Sequence, residues 1–128
     1  MGPAVANIDH QGAPEILIAA RDGRLYGWHA NGTEIADGDA NPATQGVLFD
    51  TGSPFFRSGP SLADLDAAHA GDEIVFGGTN GNLYVTDAHG ALLPSWPRNY
   101  GGYFASNPVI VYTITFSSRK PRDPSCFL

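Results

Sequence analysis

The side chains that could do chemistry in this chain are few, and their spacing speaks against catalysis. His10, His29, His69 and His89 fall in expected turns or at strand ends. No two of them have the i, i+4 helical spacing that aims a pair of imidazoles at one zinc ion, so they read as solvated turn histidines. Serines, aspartates and histidines are all present, yet no G-x-S-x-G elbow or S-x-x-K pair marks an activated nucleophile, and no hydrolytic triad is expected. Gly77-Gly78-Thr79-Asn80-Gly81 has the glycine density of a phosphate loop, but no lysine follows it and it sits between strand-like runs instead of ahead of a helix. Cys126 is the one cysteine, which excludes an intrachain disulfide and a cysteine-based zinc site. Trp28, Trp96, Tyr100, Tyr103 and Phe104 leave two uses open: stacking on a sugar, or packing between layers of the fold.

Bulk properties narrow the partners. Lys+Arg 7 against Asp+Glu 13 gives a net charge of -6, opposite in sign to a surface that tracks phosphates, so nucleic acid is not an expected partner. No run approaches the ~18 to 20 apolar residues of a membrane span, and residues 1–7 lack the basic and apolar regions of a signal peptide. The chain is therefore expected to be cytoplasmic or to owe its export to a signal lying outside it. Gly 16 and Pro 10 make 26 of 128 residues while hydrophobic residues still reach 42%, the composition of a turn-rich chain that folds.

The elements that position these residues come from an internal repeat. Glu15-Ile16-Leu17-Ile18-Ala19-Ala20-Arg21-Asp22-Gly23-Arg24-Leu25-Tyr26 returns as Glu73-Ile74-Val75-Phe76-Gly77-Gly78-Thr79-Asn80-Gly81-Asn82-Leu83-Tyr84, an offset of 73 − 15 = 58. Upstream, Gly2 to Asp9 aligns with Gly59 to Asp66 at an offset of 59 − 2 = 57, so one residue is inserted between Asp66 and Glu73. A third copy begins where Phe56, Ser58 and Pro60 recur as Phe104, Ser106 and Pro108, with Leu62 answered by Ile110. Within each copy, Val5 to Ile8 and Leu62 to Leu65 are short strands. Ile16 to Ala20 and Ile74 to Gly78 are apolar enough for burial on both faces. Asp22-Gly23 and Asn80-Gly81 predict type I′ hairpin turns into returning strands at Leu25 to His29 and Leu83 to Asp87, and a weaker fourth strand follows. No stretch has helical periodicity. The expected fold is all-β: two antiparallel four-stranded propeller blades plus the start of a third, with residues 1–58 as the first, 59–105 as the second and 106–128 as the third start and tail.

With these residues in view, the chain resembles the FG-GAP/VCBS repeat family, whose blades build integrin-α-like propellers. The family pattern S-P-x-x-A-D-x-D-G-D-G-x-x-E-I-V-V-G-x-x-D-G-x-L-Y-x-W-x-x-D-G is matched by Pro3 through Gly32, including Asp9, Gly12, Glu15, Asp22, Gly23, Tyr26 and Trp28. The second copy matches from Ser58 to Gly90, and Ser95-Trp96-Pro97-Arg98 is similar to the family's closing G-W-P-R. The resemblance implies a non-enzymatic binding or scaffold module at the cell surface or outside the cell, with a protein or carbohydrate ligand and with further blades or self-association completing the ring. The accessory propeller of a secreted hydrolase, polysaccharide lyase or quinoprotein-like enzyme is the alternative it leaves open. It also implies calcium in the acidic loops, since a hard cation takes six to eight oxygens and alternate loop positions can supply them. The first loop offers Asn7, Asp9, Gln11 and Glu15 in the ligand positions, with two amides where the family has carboxylates. The second keeps Asp64 and Asp66, but Ala68 replaces the third acid, and the inserted residue puts Asp72 and Glu73 out of the family's spacing. Weak calcium binding and plain Asx-capped turns are both open to these loops.

After Ile110 the pattern stops. The tail to Leu128 carries three of the seven basic residues, the only lysine and Cys126, and is expected to reflect a frame change or a truncated reading frame; a basic partner-binding tail is the alternative. Dividing the length by the offset, 128/58 ≈ 2.2, leaves the chain between two and three blades.

Overall fold

A computed structural model describes residues 2–52, 56, 59–102, 104 and 108. Most of the third copy and the whole tail lie outside the described residues. Among the described residues there is no helix, and eight strands form two four-stranded antiparallel sheets in chain order. The first sheet comprises β1 (Ala4–Ala6), β2 (Glu15–Ala19), β3 (Arg24–His29) and β4 (Val47–Asp50), and the second β5 (Ser61–Ala63), β6 (Glu73–Gly77), β7 (Asn82–Thr86) and β8 (Arg98–Asn99). The sequence repeat is a repeat of register. Val5 pairs with Ile16 as Leu62 pairs with Ile74, and Ile18 pairs with Tyr26 as Phe76 pairs with Tyr84. Even the isolated bridges Trp28 to Glu34 and Thr86 to Leu92 keep the 58-residue offset, since 86 − 28 = 58 and 92 − 34 = 58.

Both hairpin turns differ from the type I′ expectation. Only the glycine takes a positive φ, 85° at Gly23 and 85° at Gly81. The N–H of Gly23 donates to the Ala20 carbonyl and that of Gly81 to the Gly78 carbonyl, giving a three-residue loop that ends in a left-handed glycine. Asp22 and Asn80 serve as acceptors: their Oδ1 atoms take the N–H groups of Arg24 and Asn82 at 3.1 and 3.0 Å.

The two sheets stack face to back. One face of the first sheet, its back, carries Leu17, Ala19, Leu25 and Leu48, and these pack with Ile74, Phe76 and Tyr84 on the front of the second sheet. Phe49 and Phe56 meet the stacked Phe76–Tyr84 pair at ring centroids 5.3 to 6.1 Å apart. By the offset, Ile74, Phe76 and Tyr84 correspond to Ile16, Ile18 and Tyr26, which lie on the other face of the first sheet, its front. On the back of the second sheet, Val75, Val85 and Leu93 form a separate small cluster with Leu83 and Trp96.

This order corrects the reading of β2 as buried on both faces. β6 is buried at all five positions, whereas β2 alternates, with Ile16 36% exposed beside Val5 at 61%. The apolar run gives β2 two apolar faces, but among the described residues only one of them has a sheet against it.

Candidate functional site

The first acidic loop is shaped by its own side chains. The Oδ1 atoms of Asn7 and Asp9 both accept the N–H of Gln11, at 2.9 and 2.8 Å, and the Asn7 amide donates to the Gly12 carbonyl. His10 takes a φ of 60° to let the chain turn between them. Glu15 opens β2 and is 2% exposed. Its Oε2 accepts the Ile8 N–H at 2.8 Å, which binds the loop to the strand, and its Oε1 lies 3.4 Å from Nδ1 of His29. Ligand atoms of Asp9, Glu15 and His29 all fall within 4.8 Å of one another. An open cleft of about 290 Å³ adjoins them, lined by Gln11, Ala13, Glu15, His29, Ala30 and Asn31.

Of the residues expected in the first loop, Asp9 and Glu15 converge and the Gln11 side chain lines the cleft beside them. Asn7 has its single acceptor oxygen turned onto the loop backbone. His29 is the member that sequence reasoning missed. Its position depends on the turn: residues facing across β2 and β3 sum to 44, as in Ile16 and Trp28, which sets Glu15 opposite His29, whereas the expected two-residue type I′ turn, pairing Arg21 with Arg24, would set Glu15 opposite Ala30. Two carboxylates and an imidazole make a mixed oxygen and nitrogen donor set, able to hold a divalent cation or to share a proton.

The second loop is arranged differently. Asp66 accepts the Ala68 N–H on Oδ1 and pairs through Oδ2 with His69 Nδ1, both at 2.8 Å. The Ala68 N–H first, and His69 second, hold the Asp66 carboxyl below the usual aspartate range. Asp64 is exposed. Asp72 leaves its own loop for the first one: its N–H donates to the Ile8 carbonyl at 2.6 Å and its carboxylate meets His10 Nε2 at 2.9 Å. Glu73 is fully buried, with Oε2 accepting the N–H groups of Leu65 and Asp66 at 2.5 and 3.2 Å. Asp64, Asp66, Asp72 and Glu73 are thus dispersed over separate tasks.

A third loop of the same kind lies between β3 and β4. The Oδ1 atoms of Asp37 and Asp39 both accept the Asn41 N–H, at 3.0 and 3.1 Å, and Ala40 takes a φ of 55° where the first loop has His10. The Thr44 hydroxyl donates to Asp39 at 2.7 Å and, together with the Asn41 N–H, holds its carboxyl below the usual range. The alternation Asp37-Gly38-Asp39-Ala40-Asn41 was the available signal, hidden because it falls outside the repeat.

No family model, curated protein or solved structure matches the chain.

Proposed function

We propose that this chain is a pair of FG-GAP/VCBS-like propeller blades acting as a non-enzymatic binding or scaffold module at the cell surface or outside the cell. The observation that carries this reading is the face-to-back stacking of two sheets in one register. A sheet whose two faces are both apolar is stable only between neighbours, and a propeller is the arrangement that gives every sheet two. The donor sets support a scaffold better than an enzyme, since Asp9, Glu15, Asp37, Asp39, Asp66 and Glu73 each first fasten a backbone N–H and Asp72 fastens a neighbouring loop. The closing motif Ser95-Trp96-Pro97-Arg98 and the ordered strings around Asp22-Gly23 and Asn80-Gly81 supply the family, and with it the location and the protein or carbohydrate ligand.

Tandem fusion tests the architecture. Pro108 corresponds to Pro60 and Pro60 to Pro3, so residues 3–107 can be joined head to tail without breaking the repeat. Chains of four, six and eight sheets are expected to gain thermal stability with each added pair and to appear as closed rings in negative-stain micrographs, within the span of about 4 to 8 blades that propellers use. Rods that lengthen without closing would overturn the propeller reading.

Calcium is the second part of the proposal, favoured by the common turn of residues 7–11 and 37–41. Millimolar calcium is expected to raise the melting temperature through preferential binding to the folded state, and Asp9→Asn and Asp39→Asn to reduce that rise. A melting temperature indifferent to calcium removes this part and leaves the scaffold standing.

A further inference from the structure

We propose that Asn31 is an acceptor for an N-linked oligosaccharide, presented by the turn that follows β3. Asn31-Gly32-Thr33 is the one N-x-[ST] string among the chain's seven asparagines. So short a string decides little, and the turn around it decides more. The Gly32 N–H donates to the His29 carbonyl at 2.9 Å, the His29 N–H donates to the Thr33 carbonyl at 2.8 Å, and Gly32 takes a φ of 89°. Oδ1 of Asn31 accepts both the Thr33 N–H at 3.0 Å and the Thr33 hydroxyl at 2.7 Å. These two bonds tie the carbonyl side of the amide to the third residue of the string, while Nδ2 donates to no group among the described residues. The nitrogen that must react is therefore the free end of a fixed, exposed side chain. All four bonds lie within residues 29–33, so the turn can form in the nascent chain before the sheets stack.

The second sheet shows that this position stays open in the folded stack. Its corresponding turn repeats the pair of backbone bonds, from the Gly90 N–H to the Asp87 carbonyl and from the Asp87 N–H to the Ala91 carbonyl. That turn lies against the first sheet: Ala88 is 1% exposed, and a Cβ on Gly90 would lie 2.3 Å from the Leu48 carbonyl oxygen. Even so, His89 and Ala91, the counterparts of Asn31 and Thr33, stay exposed beside these contacts. A Cβ on Gly32 would meet nothing within 4 Å. A glycan on Asn31 thus points to solvent, and would do so with a further sheet stacked on the front of the first. The site is compatible with the propeller and does not depend on it.

The transfer needs a sugar donor and an enzyme of the secretory pathway, so this inference rests on the reading of the chain as a protein outside the cell. Nδ2 attacks the anomeric carbon of an oligosaccharide carried on a polyprenyl diphosphate. The C–N bond forms as the C–O bond to the diphosphate breaks, the diphosphate leaves with the bonding pair, and the amide gives up one proton to a base of the transferase.

Secretion of the full chain from a eukaryotic host cell, behind an added signal peptide, reads the outcome by intact mass before and after peptide N-glycosidase. The wild type is expected to lose the mass of one oligosaccharide on digestion, with Asn31 converted to aspartate. Asn31→Gln and Thr33→Val are expected to abolish the glycan, and Thr33→Ser, which keeps the hydroxyl, to retain it. The glycosylated chain is expected to melt no lower than the digested one. A secreted, folded wild type with unmodified Asn31 overturns the proposal. So does a glycosylated chain that melts well below the digested one, since the glycan would then occupy space that the fold needs. The added signal imposes the compartment, so these failures fall on the turn. The location fails separately, where antibody labelling finds the chain only in the cytoplasm of its own cells.

Discussion

Glu15 and Glu73 hold the same place in the two sheets and end in different states. Each is buried at the start of its sheet's second strand, and each turns Oε2 back to accept a backbone N–H of the preceding acidic loop. The second oxygen separates them. Oε1 of Glu15 faces His29, whereas Oε1 of Glu73 is buried with no hydrogen-bond partner among the described residues. The residue corresponding to His29 is Asp87, since 29 + 58 = 87, and its Oδ1 is committed to the N–H groups of His89 and Ala91. The repeat has preserved the carboxylate as a fastener of its loop. Only in the first sheet has the remaining oxygen been drawn into a cluster with Asp9 and His29, so the candidate site is a local addition to a structural glutamate.

The first expected effect bears on that shared task. Removing an acceptor from a buried N–H costs about 1–3 kcal/mol for each group left unsatisfied. Glu15→Ala strands one such group, the buried N–H of Ile8, whereas Glu73→Ala frees the N–H groups of Leu65 and Asp66, which are only part-buried and which water can reach. Two ordinary hydrogen bonds at about 0.5–1.5 kcal/mol each match one stranded buried group, so losses of about 1–3 kcal/mol are expected for both variants in denaturant unfolding. A Glu15→Ala loss well above that of Glu73→Ala would mean that the cluster around His29 adds stability of its own.

A difference is expected where the two loops meet. Gly12 and Gly71 both hold left-handed conformations, with φ of +70° and +84°. A Cβ on Gly12 would meet nothing within 4 Å, while one on Gly71 would lie 2.3 Å from the Ile8 carbonyl oxygen, which already accepts the Asp72 N–H. Gly12→Ala should cost the left-handed penalty alone, about 1–2 kcal/mol. Gly71→Ala adds a backbone collision between the two loops, for a total of about 2–4 kcal/mol. Thermal unfolding of the pair checks this, and a Gly71→Ala variant as stable as Gly12→Ala would show that the loops do not bear on each other.

Much of the fold was legible because it depends on local pattern. The offsets of 57 and 58, the Asp22-Gly23 and Asn80-Gly81 turns and the apolar runs define the first three strands of each sheet whatever their surroundings, while β4 and β8, 98 − 47 = 51 residues apart, fall outside those offsets and were legible only as a weaker fourth strand. The exposed front of β2 was not legible, because an apolar residue specifies a face and not whether anything covers it. Nor was the path of Asp72: the inserted residue was visible as a break in spacing, but its consequence, a bond to the Ile8 carbonyl and a pairing with His10, depends on how the sheets stack. His29 stands between these cases. Its pairing with Glu15 follows from the three-residue hairpin loop, and the type I′ turn that Asp22-Gly23 predicts shifts the register by one residue.

The acidic loops of the two sheets should also part company in acid. Asp66 in the second sheet and Asp39 in the first both titrate below the ordinary aspartate value of about 3.9. A carboxyl lowered on folding binds fewer protons in the folded state. Its stabilisation is therefore complete above about pH 4 and lost as pH falls through the lower folded value. Asp66→Asn and Asp39→Asn should each flatten the acid side of the stability curve, their curves meeting the wild type's at the lowest pH. The two sites differ in what holds the carboxylate. For Asp66 the main cause is the Ala68 backbone N–H, which no side-chain substitution removes, so His69→Ala should leave most of the acid dependence in place. For Asp39 the main cause is the Thr44 hydroxyl, so Thr44→Val should remove most of its share. Carboxyl titrations followed by NMR in the two variants separate these predictions. A rise in the Asp66 value with His69→Ala as large as that of Asp39 with Thr44→Val would mean that side-chain partners, and not the turn itself, set the charge of both loops.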